Sequence, residues 1–130
     1  MESQIATFED ATLILKLYEL RQEPVLRKAR HWVISEFNPS TADELLAVVR
    51  GSGAEGNAYY RQVTTYWEMA ASLVLHGAVN ADIFLDSNGE GLYIFAKFYS
   101  FREEFQAKTG RPFMRHTAQL IDKYPLARDI

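Results

Sequence analysis

Hydrophobic positions recur at three- and four-residue spacing along almost the whole chain, the period of helices and not of strands. From about Phe8 to Arg21, Ile14, Leu17 and Tyr18 stack on one side, and Leu13 and Leu20 widen that face. Glu9, Thr12, Lys16 and Glu19 form the opposite polar stripe. Thr7 is placed to cap this helix, with Asp10 three residues on as the returning acid of a capping box. Pro24 opens a second helix, where its missing N–H costs nothing. Val25, Leu26, Ala29, Trp32, Val33 and Phe37 carry its apolar face to the stop at Asn38-Pro39-Ser40. Ser40 or Thr41 caps a short third helix. Asp43 and Glu44 sit in its first turn, and Leu45, Leu46, Val48 and Val49 bury it.

After a loop at Gly51–Gly56, Asn57 is expected to cap the longest helix, which ends near His76 with Gly77 as a left-handed stop. Its second half, from Met69, is apolar or small nearly all round, which places it in the middle of a bundle. Asn80 caps a short segment, Ala81 to Leu85, before the turn Asp86-Ser87-Asn88-Gly89. A helix from about Gly91 to Lys108 follows, with Ile94, Phe98, Phe101 and Phe105 at helical spacing and Thr109-Gly110 at its end. Pro112 starts the last helix, with Phe113, Thr117, Leu120, Ile121 and Tyr124 inward and Pro125 closing it. The pattern predicts an all-α fold: a single compact bundle of five to six helices over residues 1–130, with the Asn57–His76 helix central.

Composition narrows the chemistry. The 130 residues include no cysteine, which excludes disulfides, thiolate metal sites and thiol nucleophiles. Seventeen acids against fourteen Lys and Arg give a formal charge of −3, so no global electrostatic footprint for nucleic acid is present. No stretch reaches the roughly 20 apolar residues that span a bilayer, and Met1-Glu2-Ser3-Gln4 lacks the basic flank of a signal peptide. The expected location is cytoplasmic.

Several motifs match known chemistry only in part. Gly51-Ser52-Gly53-Ala54-Glu55-Gly56 spells G-x-G-x-x-G, but no strand precedes it and no βαβ alternation follows, so no dinucleotide is expected there. Asp86, Asn88 and Glu90 fall at positions one, three and five of a calcium loop, yet position twelve is Lys97, a cation. His31, His76 and His116 have no second histidine at ligand spacing, so neither a metal nor another cofactor is expected. The basic cluster Arg21, Arg27, Lys28, Arg30 and His31 lies among Glu19, Glu23 and Glu36 and reads as a solvated helix face.

Two groups remain as candidate sites. Glu68, Ser72 and His76 are four residues apart and share one face of the central helix. If a pocket covers that face, Glu68 and His76 are its candidate acid–base groups, although Ser72 lies between them, in the wrong order for a triad. Tyr59, Tyr60 and Tyr66 point in several directions around the same helix and are the candidate interface, since tyrosine is enriched at partner surfaces.

Thr65-Tyr66-Trp67-Glu68, the run Leu73-Val74-Leu75-His76-Gly77-Ala78-Val79-Asn80-Ala81-Asp82-Ile83-Phe84 and the aromatic helix Leu92 to Phe105 together resemble a family of small helical bacterial domains of unknown function. The resemblance covers about half the chain and implies a helical fold. It carries no activity. Many members of that family have an N-terminal membrane segment, and none is read in this chain. The function expected is a non-enzymatic helical module that binds a protein partner or a second copy of itself. The alternative is a small-molecule binder or enzyme with a pocket near Glu68 and His76.

Overall fold

A computed structural model describes residues 5–51 and 54–128. Among these it contains nine α-helices and no strand: α1 (Phe8–Arg21), α2 (Pro24–His31), α3 (Ala42–Arg50), α4 (Glu55–Leu75), α5 (Ala81–Ser87), α6 (Glu90–Lys97), α7 (Arg102–Thr109), α8 (Arg115–Lys123) and α9 (Pro125–Arg128). The all-α expectation holds. The count exceeds five to six because the short segment Ala81–Ser87 is a helix of its own, the predicted Gly91–Lys108 helix is split in two and a four-residue helix starts at Pro125. Ser52 and Gly53 of the glycine-rich loop lie outside the described residues.

Local signals place most helix ends. Thr7 and Asp10 form the capping box, with Asp10 N donating to Thr7 Oγ1 (3.1 Å) and Thr7 N to Asp10 Oδ2 (2.7 Å). Of the two cap choices for α3, Thr41 is the one used, accepting from Glu44 N at 3.2 Å. Asn80 caps α5 through Ile83 N (3.0 Å). Gly77, at φ 78°, closes α4 in a Schellman motif, with Ala78 N donating to Leu73 O (2.9 Å) and Gly77 N to Val74 O (3.0 Å).

The breaks have tertiary causes. The second helix widens at Trp32–Glu36 into a π-turn, where Phe37 N donates five residues back to Trp32 O (2.8 Å). Lys97 Nζ reaches across from α6 and donates to Val33 O (2.8 Å) and Ile34 O (2.9 Å), satisfying carbonyls of the widened turn. Trp32 and Phe37 stack with ring centroids 4.8 Å apart. The predicted Gly91–Lys108 helix tightens at Tyr99–Phe101 into a 3-10 turn, splitting it into α6 and α7. The bend allows Phe95, Phe98 and Phe105 all to pack around Phe113, at 5.9, 6.2 and 5.3 Å between centroids.

Two helix starts also differ from expectation. Asn57 does not cap the long helix, which begins at Glu55. Its buried side chain instead donates to Val48 O (2.9 Å) and Val49 O (3.0 Å), closing the C-terminal end of α3. The last helix starts at Arg115 and not at Pro112, because buried Met114 adopts a left-handed conformation, φ 44°, that no helix can contain.

As expected, the long helix is central. α4 packs against α2, α3, α5, α6 and α8. Val63, Trp67, Ala70, Ala71 and Val74 are fully enclosed, although Met69 is exposed. α1 lies at the periphery against α5, with Leu17 and Arg21 as its buried residues.

Candidate functional site

Glu68 leaves α4 pointing at the start of α8. Its Oε1 accepts from His116 N (2.9 Å), and its Oε2 from Thr117 N (2.9 Å) and Thr117 Oγ1 (2.7 Å). His116 Nδ1 lies 3.3 Å from Oε1. A helix beginning at left-handed Met114 has no side-chain cap of its own. Glu68, 48 residues away in sequence, supplies that cap, its negative charge set against the positive end of the helix dipole. The acceptors that a catalytic carboxylate would present to a substrate are engaged with backbone. The buried Tyr60 hydroxyl nearby is held well above the usual tyrosine range, chiefly by burial and then by the charge of Glu68.

Ser72 and His76 do not join Glu68 around a cavity. His76 is exposed and its Nδ1 donates to Ser72 O of its own turn (2.9 Å), with Ser72 Oγ at 3.4 Å. The structure brings together Glu68, His116 and Thr117 instead.

Tyr59, Tyr60 and Tyr66 retain only 7, 6 and 8% of their surface. The candidate interface is therefore corrected: these rings are core, Tyr59 set against Trp32 and Tyr66 against Trp67. The Tyr66 hydroxyl donates to Leu17 O and joins α4 to α1.

A second polar cluster escaped the sequence reading. Arg30 makes a two-pronged pair with Glu90, Nε to Oε2 and Nη2 to Oε1, both 2.8 Å. Trp67 Nε1 donates to the same Oε2 (2.9 Å), and Arg30 Nη1 to Arg21 O (3.2 Å). Arg21 is itself buried. Its Nη1 donates to Asn88 Oδ1 (2.6 Å), and its guanidinium lies 5.2 Å from the Trp67 ring centroid. Two of the five basic-cluster residues thus face inward, and Asn88 and Glu90 of the calcium-like loop are their partners. No signal local to either segment reveals this, since the paired residues are about 60 positions apart.

Two hollows accompany these networks. One, of about 10 Å³, lies between Trp67, Asn88, Gly91 and Thr117, with room for a single water and no more. The other is a wide, open depression of about 490 Å³ lined by Ala6, Asn80, Asp82, Ile83, Asp86 and Leu126. Neither is lined by Glu68, Ser72 or His76. Among the described residues no group of three or more His, Asp or Glu could hold a metal ion, and no helix is long and apolar enough to cross a membrane.

The least expected feature is on α1. Phe8, Leu15 and Tyr18 are 90, 66 and 55% exposed, and Ile5 just before the helix is 91% exposed. With half-buried Ala11 they stand at 8, 11, 15 and 18, the three–four–three spacing of a coiled-coil seam. The inner face of the same helix is made by Leu13, Ile14 and Leu17. Tyr18 and Leu20 were expected on that inner face; both are exposed instead.

What these features define is an all-helical protein held by long-range polar latches, with a peripheral helix that is apolar on two sides. The chain belongs to the family described as Domain of unknown function (DUF4760), which matches residues 6–124. No curated protein and no solved structure matches it.

Proposed function

We propose that residues 1–130 act as one non-enzymatic helical domain, in a bacterial cytoplasm, whose work is protein association through the outer face of α1. The bacterial setting rests on the sequence resemblance, and the cytoplasmic location is part of the same proposal. The observation that carries the association reading is the exposure of Phe8, Leu15 and Tyr18 on one helical seam. Scattered exposed apolar residues need no explanation, but a contiguous stripe backed by a helix already packed on its other side is the pattern of a contact surface. The alternative, a ligand pocket around Glu68 and His76, has less support. The Glu68 carboxylate is engaged with the end of α8, and His76 is bonded within its own turn.

A photoreactive residue placed at 15, and a control at the exposed Gln106 of α7, test this in cells. Discrete protein adducts, identified by mass spectrometry, are expected at 15 and not at 106. A position 15 as unreactive as 106 would overturn the reading.

A further inference from the structure

We infer that the occupant of the α1 face is a second copy of this chain, with the two α1 helices antiparallel about a two-fold axis near residue 13. The inference rests on the association reading above and adds the partner and the register. A two-fold axis at residue 13 sets each position i opposite position 26 − i. Phe8 then meets Tyr18 of the second copy, and Ala11 meets its Leu15, each pair occurring twice. The seam is thus self-complementary, as an isologous interface requires. The smallest residue of the stripe receives a large aliphatic one, and the aromatic pairs close both ends. A parallel arrangement would place Ala11 against Ala11 and leave a gap beside the Phe8 pair.

Helix dipoles favour the same choice, since antiparallel α1 helices set opposite dipole ends side by side and parallel ones set like ends together. Phe8, Leu15, Tyr18 and Ile5 together offer on the order of 500 Å² per copy, which is the size of a weak, transient interface. The dimer is accordingly a reversible one, with the fold of each copy complete without it.

The absence of cysteine makes the test direct. Ala11→Cys and Leu15→Cys variants are oxidised separately and as an equimolar mixture, and the disulfide-linked dimer is quantified. Phe8→Cys with Tyr18→Cys forms a second, independent pair. The mixtures are expected to cross-link at least tenfold faster than the corresponding single variants. Faster cross-linking within the single variants would overturn the antiparallel register. No cross-linking in any sample would overturn the second copy as occupant. In that case, adducts to a different protein at position 15 in cells would leave the association reading standing, and their absence would remove both.

Discussion

Glu68 stands on the helix that packs against α2, α3, α5, α6 and α8, yet its carboxylate works at the start of α8. A charged acceptor holding two backbone N–H groups and a hydroxyl contributes more than a neutral one, because the amide ends of α8 have no other side-chain cap. Glu68→Gln keeps the shape but turns an NH₂ group toward N–H donors. Urea denaturation at pH 7 should show a loss of about 1.5–3 kcal/mol; a change under roughly 0.5 kcal/mol, the surface norm, would contradict the capping role. Asp10 makes a comparable junction at the periphery, accepting from Thr7 N and from Asn80 N (2.8 Å) and so joining α1 to α5. These bonds, the one from Thr7 first, hold its carboxyl below the usual aspartate value. A carboxyl whose pKa is lowered on folding adds stability above its unfolded value of 3.8, and that contribution disappears as pH falls through the lower folded value. Asp10→Asn should therefore melt below wild type at pH 7, with the difference shrinking as the pH is taken well under 3.8. A difference independent of pH would show that the carboxylate charge is not what matters. The two acids differ in how readable they are. Asp10 lies three residues from Thr7, inside a local pattern. Glu68 acts 48 residues away, and its helical neighbours Ser72 and His76 suggest a stripe that the fold never assembles.

At the scale of elements, periodicity identifies the helices and local chemistry identifies most of their ends. Thr7, Thr41, Asn80, Gly77 and Gly110 all sit where short-range rules put them. What periodicity does not carry is interruption. Ile94, Phe98, Phe101 and Phe105 fit one continuous helix, whereas the 3-10 turn between α6 and α7 accompanies the sharing of Phe113 by Phe95, Phe98 and Phe105. The π-turn at Trp32–Glu36 likewise depends on Lys97, more than 60 residues on. Asn57 misleads for a related reason: a residue type that commonly caps its own helix here closes the end of α3. Phe98 is fully enclosed at the bend and touches both Phe37 and Phe113. Phe98→Ala should cost about 3–5 kcal/mol in chemical denaturation, the range for emptying a large aromatic site. A loss near 1 kcal/mol would mean that α6 and α7 close over the space and that the bend is not fixed by packing.

In the molecule as a whole, α1 and α4 differ in how far their neighbours cover them. The aromatic residues of α4 that the sequence offers as an interface, Tyr59, Tyr60 and Tyr66, are covered because helices pack on several of its sides. α1 is only partly covered. Its stripe at 8, 11, 15 and 18 is as apolar as the inner one, so composition alone cannot say which side faces the core. Arg21 and Leu17, tied to Asn88 and to the Tyr66 hydroxyl, decide the orientation and leave Phe8, Leu15 and Tyr18 outside. A face that the fold leaves exposed should be separable from stability. Leu15→Glu is expected to shift unfolding by no more than about 0.5 kcal/mol. Sedimentation equilibrium of wild type and Leu15→Glu over a wide concentration range is the most direct measurement. The wild-type average mass is expected to climb from 14.9 kDa toward twice that value, and the variant to stay at 14.9 kDa throughout. Superimposable curves for the two proteins would contradict it.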